Sequence, residues 1–191
     1  MGTDIHCIVQ AKTNNSWTAL ETNSFLDRHY LWFAVLANVR NGDGFAGTPY
    51  MTSPVPYIQE HRGYPDDFEL PDGVEWLGDH SFGYVTLQEL LDYDWSISIS
   101  KLGMVSLDDL ASLAKDPTAV VSIGDKRLIL NKLPSSYCLH TNSRNYLPFK
   151  CTVPIAKLLD HELQEIDRLK NKATQLGIPA SHIRLVFGFD S

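Results

Sequence analysis

The chain has 191 residues, of which 43% are hydrophobic and 20% charged, a composition that excludes a disordered chain or a coiled coil and favours one packed domain. Its 16 Lys and Arg against 23 Asp and Glu give a formal net charge of -7, which disfavours binding to a nucleic-acid polymer over a broad surface. A small anionic ligand stays compatible with this charge, because one or two Arg side chains in a pocket recognise a phosphate locally.

The lack of a recognisable targeting signal and the cysteine content both favour a cytoplasmic location. The first residues lack a basic start followed by an apolar run, and no segment approaches the ~20 uninterrupted apolar residues that span a bilayer. The three cysteines, Cys7, Cys138 and Cys151, lack the density of a disulfide framework and are expected to be free thiols. We therefore expect a cytoplasmic protein without a membrane partner.

The N-terminal segment predicts a β-hairpin. Apolar, β-prone residues are dense from Asp4 to Lys12, and the pattern resumes from Ser16 to Glu21 after a polar turn. Because strand side chains alternate between two faces, Asp4 and His6 are expected to point the same way.

Two long helices are predicted. The first covers residues 27–41, with Asp27 as its N-cap and Asn41-Gly42 as its stop. The second covers residues 155–176, where apolar residues follow the 3.6-residue period and Gly177 supplies the C-cap.

Residues 42–84, between the first helix and the next regular element, are rich in Gly, Pro and aromatic side chains. Such a long irregular segment inside a compact domain is usually functional or disordered. Its aromatic content favours an ordered lid or pocket wall.

Shorter elements complete the chain. The capping-box pattern Thr86-Leu-Gln-Glu89 opens a short helix, and a similar pattern predicts one over Leu107–Lys115. Strands are predicted at 96–100, at 119–123 and 126–130 as a hairpin, and at 182–190, where the alternating pattern requires pairing inside a sheet.

These elements predict an α+β fold. A mixed or mostly antiparallel sheet would include the N-terminal hairpin and the C-terminal strand, and would pack against helices 27–41 and 155–176. We expect one domain over residues 1–191, in which residues from about 96 to 145 are a candidate insertion or subdomain.

The two ends of the chain, Met1-Gly2-x-Asp4-Ile5-His6 and Arg184-x-Val186-Phe187-x-Phe189-Asp190, resemble those of an uncharacterised protein family of bacteriophages and bacteria. Similar blocks lie at 33–42, 44–47, 62–65, 80–81 and 87–95. The chain departs from the family at Gly188, where an aromatic residue is common, and at Ser191, where Asn is common. The resemblance implies a phage or bacterial origin, with the host cytoplasm as the location of a phage-encoded protein, and it implies no activity.

His6 and Asp4 form the first candidate site. A carboxylate beside an imidazole sets its tautomer for metal binding or proton transfer, although a structural histidine with a backbone partner explains the pair equally well. If the loop folds back over the first strand, His61 and His80 would join His6. No HxH or HExxH spacing supports a metal, so neither a metal nor a cofactor is predicted.

Arginine, amide, hydroxyl and aromatic groups in the same region extend the candidate site. Arg40 and Asn41 would offer a forked donor and an amide to a phosphate or a base edge, although ordinary C-capping of the helix explains them as well. The full set of candidate ligand-binding residues is Asp4, His6, Arg40, Asn41, Phe45, His61, Arg62, His80 and Ser81.

Three functions remain open from sequence. The leading hypothesis is a phage-type accessory protein that binds a small nucleotide-like ligand, and in its most specific form sequesters a host immune signalling nucleotide. The second is a phosphodiester hydrolase with His6 and His80 as catalytic candidates, with or without a metal. The third is a protein-interaction module that inhibits a host factor through an exposed aromatic patch. A homo-oligomer is compatible with all three.

Overall fold

The computed structural model describes residues 2–22, 25, 27–42, 54–106, 111, 115, 120–123, 126–129 and 146–190, with the backbone alone for 100–106, 120–123, 126–129 and 146–152. The chain divides into two compact units, the first composed of Met1–Asn41, Val55–Asp94 and Leu159–Ser191, and the second of Gly42–Pro54 and Trp95–Leu158. The predicted Phe45 contact and the predicted helix over Leu107–Lys115 lie outside the described continuous segments.

The described elements follow one another as β1 (Asp4–Thr13), β2 (Ser16–Glu21), α1 (Tyr30–Ala37), β3 (His80–Thr86), α2 (Leu87–Asp92), β4 (Ser98–Ser106), β5 (Val120–Ile123), β6 (Lys126–Ile129), β7 (Tyr146–Pro154), α3 (Asp160–Leu176) and β8 (Ile183–Asp190). The predicted α+β class is therefore confirmed. None of the described helices is long and apolar enough to cross a bilayer.

The first unit is built on an antiparallel sheet with the strand order β2-β1-β8-β3. Strand β8 is one of its two inner strands, so the C-terminal strand pairs with the N-terminal hairpin as predicted. Every residue of β8 from Ile183 to Phe189 is buried, because both faces of the sheet are covered.

One face of the sheet packs against α1. Residues Leu31 to Ala37 of this helix are all buried, as expected of a helix that is apolar all round. The ring of Phe33 meets that of Phe189 edge-on, with 5.1 Å between the centroids. Ile5 and Cys7 face the same side, since they lie opposite Phe189 and Phe187 in the register. The Cys7 thiol is free and buried, and its burial raises its pKa.

The other face is covered by the segment between residues 62 and 79. Leu77 packs on Ile8 and Val186, and four partly buried side chains, Tyr64, Phe68, Val74 and Tyr84, surround them. Much of the segment that is irregular by sequence is therefore an ordered cover on the sheet. Its last part is not loop, because the strand β3 already begins at His80. This strand was not predicted, because a bulge between His80 and Gly83 breaks the two-residue period there.

The predicted boundaries of both long helices are too wide. Helix α1 begins at Tyr30 rather than Asp27, and His29 is extended at φ -125°. Arg28 binds Asp4 and His29 binds Glu162, so these contacts hold the chain before the helix away from helical geometry. The helix ends at Ala37, because Asn38 adopts a left-handed conformation at φ 59°.

The C-terminal helix α3 begins at Asp160, since Ile155–Lys157 forms a separate 3-10 turn. Its predicted end is confirmed, with Gly177 at φ 65° as the C-cap. The predicted capping box is also confirmed, because the Thr86 hydroxyl accepts from the Glu89 backbone N–H and the Glu89 carboxylate accepts from the Thr86 backbone N–H.

The second unit contains two pairs of antiparallel strands. β5 and β6 form the predicted hairpin, with Ile123 opposite Lys126. β4 pairs with β7. β4 extends beyond its predicted end to Ser106, and β7 was not predicted. The side chains of most of these strands lie outside the described residues.

Candidate functional site

A cavity of about 290 Å³ opens in the first unit, where the start of β1, the end of α1, residues 60–61 and the start of β3 meet. Four of the residues predicted from sequence to bind a ligand line it: Arg40, His61, His80 and Ser81. Thr3, Ala37, Asn38, Val39 and Glu60 complete the lining. The cavity thus combines a guanidinium group, two imidazoles, hydroxyls and one carboxylate.

Arg40 reaches the cavity from the turn that follows α1. The left-handed Asn38 ends the helix, and Arg40 itself has a φ of 56°. The Arg40 Nε and Nη2 atoms donate to Thr3 Oγ1 at 3.1 and 2.9 Å, and the guanidinium lies 5.6 Å from the centre of the Tyr30 ring. The cationic group is therefore held in one orientation by a hydroxyl and an aromatic ring.

His80 and Ser81 enter from the bulged start of β3. The His80 Nδ1 and Ser81 Oγ atoms are 3.0 Å apart, within hydrogen-bond distance. The His80 ring lies roughly parallel to that of Phe189, with 6.2 Å between the centroids. These contacts fix the imidazole against the sheet and leave its edge at the cavity lining.

His61 and Glu60 form the rim of the cavity. The His61 side chain is 84% exposed and its Nε2 lies 3.6 Å from Glu60 Oε1. Asn38 Nδ2 donates to the same carboxylate oxygen at 2.9 Å. The hydrogen bonds from Asn38 and then from Tyr57 lower the pKa of Glu60 below its usual value, so its carboxylate is charged at neutral pH.

The backbone around the cavity is unusual. Among the described residues, seven other than glycine have a positive φ, and four of these line the cavity: Asn38, Arg40, His61 and Ser81. A residue other than Gly or Asn in this region costs on the order of 1–3 kcal/mol, and such residues cluster at binding and catalytic sites. The strain at Arg40, His61 and Ser81 places these polar side chains at one cavity.

Two further predicted site residues, Asn41 and Arg62, bind other parts of the protein instead of lining the cavity. The Asn41 side chain donates to the Val55 carbonyl and accepts from the Val55 N–H, both at 2.8 Å, which fastens the turn after α1. The Arg62 guanidinium donates to both carboxylate oxygens of Glu89 at 3.1 and 2.8 Å and lies over the Tyr84 ring. Neither side chain is part of the cavity lining.

Asp4 and His6 lie on one side of β1 but do not pair with each other as proposed. The partner of Asp4 is Arg28, whose Nε donates to Asp4 Oδ1 at 2.6 Å and lowers the pKa of that carboxyl. The partner of His6 is Asp190, with 3.1 Å between Nε2 and Oδ2, and its ring meets that of Trp76 at 4.5 Å. His6 therefore has a carboxylate partner, but it is Asp190 of the C-terminal strand and not the predicted Asp4.

His6 and His80 lie on opposite faces of the sheet. His80 is opposite Phe189, which is opposite Ile5 on β1, and directly opposed residues share a face. His6 follows Ile5 and therefore faces the other side. The expected meeting of three histidines does not occur, and His6 and His80 are not placed to act on one phosphate.

Three polar residues of the lining, Thr3, Asn38 and Glu60, were not predicted. Their side chains carry no periodic or motif signal, and each acquires its position from a tertiary contact. Only the proximity of Thr3 to the Asp4-Ile5-His6 motif and of Glu60 to His61 would have pointed to two of them.

In the part of the chain that the structure describes, no group of three or more His, Cys, Asp or Glu side chains is placed to hold a metal ion. The polar groups of the cavity are one guanidinium group, two imidazoles, two hydroxyls, one amide and one carboxylate. No match was found when the chain was compared with models of protein families, with curated proteins and with solved structures.

Proposed function

We propose that this protein binds a small, anionic, nucleotide-like ligand in the cavity and releases it unchanged. The observation that carries the proposal is the convergence of Arg40, His61, His80 and Ser81 from three separate chain segments on one cavity, three of them at positive φ. Strained backbone of this kind persists where a site requires it.

The polar groups suit a phosphate. A guanidinium group and imidazoles donate charge-assisted hydrogen bonds to phosphate oxygens, and the Thr3 and Ser81 hydroxyls add neutral donors. Arg40 is already oriented by Thr3 and Tyr30, so little side-chain entropy would be lost on binding. A local site of this kind is consistent with the overall charge of -7, which disfavours a polymeric ligand.

The size favours a small ligand. About 290 Å³ lies at the lower end of the volumes of small-molecule sites, which run from roughly 300 Å³ upward. In its most specific form the proposal is that a phage-type protein sequesters a host signalling nucleotide, an idea that rests on the family resemblance of the chain ends.

Hydrolysis by His6 and His80 is disfavoured because these two imidazoles lie on opposite faces of the sheet. In-line cleavage of a phosphodiester by two imidazoles requires both to reach the same phosphate. The two imidazoles that do line the cavity belong to His61 and His80, so recovery of the ligand decides between binding and hydrolysis there.

The test is a nucleotide panel with recovery of the ligand. Mononucleotides, cyclic mononucleotides and cyclic dinucleotides are titrated by calorimetry, and the bound compound is released by denaturation and identified by mass spectrometry. Recovery of an intact nucleotide supports the proposal. A chemically altered one indicates a hydrolase, and binding of none of them leaves the protein-interaction hypothesis.

A matched pair of variants locates the site. His61→Asn removes an imidazole from the rim, and Asn tolerates the φ of 57° at this position. We expect Kd to rise about tenfold, the effect of losing one charge-assisted hydrogen bond. His161→Asn changes an exposed histidine of α3 that is not part of the lining, and it should leave Kd unchanged. Equal Kd values for the two variants would place the ligand elsewhere.

A further inference from the structure

We infer that Glu60 selects a ribonucleotide by accepting hydrogen bonds from the two adjacent hydroxyls of the ribose. This inference rests on the proposed function, because it names the ligand class that the same cavity would take. Glu60 was not among the candidates suggested by the sequence.

The carboxylate of Glu60 is part of the cavity lining and is held in place. Its side chain is 36% exposed, its Oε1 accepts from Asn38 Nδ2 at 2.9 Å, and Asn38 is the left-handed residue that ends α1. The acceptor is therefore fixed to the same turn that presents Arg40. A ligand in the cavity meets both groups.

A charged carboxylate in an anion site restricts the ligand. It repels a second phosphate or any other acceptor, and a ligand that covers the carboxylate without offering it a donor removes its hydrogen bonds to water, which costs binding free energy. Inorganic phosphate and polyphosphates can bind Arg40 and the histidines, but they bring further negative charge towards Glu60. A compound that carries both an anion and hydrogen-bond donors satisfies all of them.

The ribose of a nucleotide has this combination. Its two adjacent hydroxyls are donors within a few bonds of the 5′-phosphate, and an acidic side chain that accepts from ribose hydroxyls is an established mode of nucleotide recognition. A site that hydrogen-bonds a substrate hydroxyl also rejects the analogue that lacks it, since the acceptor is then unpaired. Glu60 would thus separate ribonucleotides from dideoxynucleotides.

The test compares each of the four ribonucleoside 5′-monophosphates with its 2′,3′-dideoxy counterpart and with inorganic phosphate. In the unmodified protein we expect at least one ribonucleotide to bind about tenfold or more tightly than its dideoxy partner. In Glu60→Gln the ratio should fall to about two or less, with the dideoxynucleotide bound no more weakly than before. Glu69→Gln, at an exposed position outside the lining, should keep the original ratio.

Each outcome decides between the two proposals. Equal affinity for ribo- and dideoxynucleotides in the unmodified protein, or an unchanged ratio in Glu60→Gln, overturns the inference and leaves the binding site intact. If no mononucleotide binds while another nucleotide of the panel does, the inference fails and the proposed function stands. If nothing in the panel binds, both fail.

Discussion

Replacement of Gly188 by Ala should be one of the most disruptive single-methyl changes in the first unit. The cover segment crosses β8 so closely that a Cβ on Gly188 would clash with the Leu77 carbonyl oxygen and lie 2.8 Å from Phe82 Cδ1. Gly78, the residue after Leu77, is equally confined, with a Cβ only 2.5 Å from the Phe189 backbone nitrogen. Two glycines therefore allow the cover to lie directly on the strand.

The magnitude follows from what must move. Overpacking a core costs typically about 1–3 kcal/mol when side chains can adjust, but here the obstacle is a backbone carbonyl in the interior. We therefore expect Gly188→Ala to lower the free energy of unfolding by about 3 kcal/mol or more. Gly73→Ala is the control, since Gly73 has a φ of 81° with nothing near its Cβ, so the expected loss is only the conformational strain of about 1–2 kcal/mol.

The assay is urea unfolding followed by tryptophan fluorescence, with the midpoint and slope measured for both variants. The clash should also reach the cavity, because Asp79 N–H donates to the Phe189 carbonyl at 2.6 Å and the next residue is His80. Nucleotide affinity should then fall in Gly188→Ala but not in Gly73→Ala. If Gly188→Ala is no more destabilising than Gly73→Ala, the close crossing of the cover over β8 is refuted.

Two other predictions concern the polar network. Arg62→Lys should lower the free energy of unfolding by about 1–2 kcal/mol, because Lys does not reproduce the two hydrogen bonds that Arg62 donates to Glu89. Nucleotide affinity should stay unchanged. A large rise in Kd at constant stability would show that Arg62 belongs to the ligand site. Stability should fall as the pH drops below about 4.5. The hydrogen bond from Arg184 lowers the pKa of Asp67. Burial raises the pKa of Glu89, but the hydrogen bonds from Arg62 and Thr86 lower it by more. Both carboxyls therefore have a lower pKa in the folded than in the unfolded chain. Their stabilising contribution is complete above the unfolded pKa and is lost as the pH falls through the folded one, so urea midpoints that stay constant from pH 7 to pH 3 would contradict this assignment.

Secondary structure was predictable where a signal is local. The apolar run in α1, the 3.6-residue period of α3 and the capping box at Thr86 each specify an element through its own residues. The limits of α1 were not predictable, because long-range contacts of Arg28 and His29 hold the preceding residues extended. Strand β3 was not predicted at all, because the bulge after His80 interrupts its alternating pattern.

Four of the six lining residues that are ionisable or carry a hydroxyl could be anticipated from residue type. Arg40, His61, His80 and Ser81 stood out as polar groups in or beside an irregular segment rich in aromatics. The partners of these groups could not be anticipated. Glu60 is positioned by Asn38 at the end of α1, and Thr3 is positioned by Arg40, and both contacts join residues that are distant in sequence.

The amino-acid sequence by itself determined most of the elements, though not β3 or β7, as well as the position of Asp4 and His6 on one side of β1 and the chemical types available for a site. Only the tertiary structure decided that Asp190 rather than Asp4 binds His6 and that His80 faces the other side of the sheet. The physical reason is that the side-chain period of a strand orients its residues relative to one another, whereas strand order and register, which depend on packing across the whole core, decide which residues of other strands they meet.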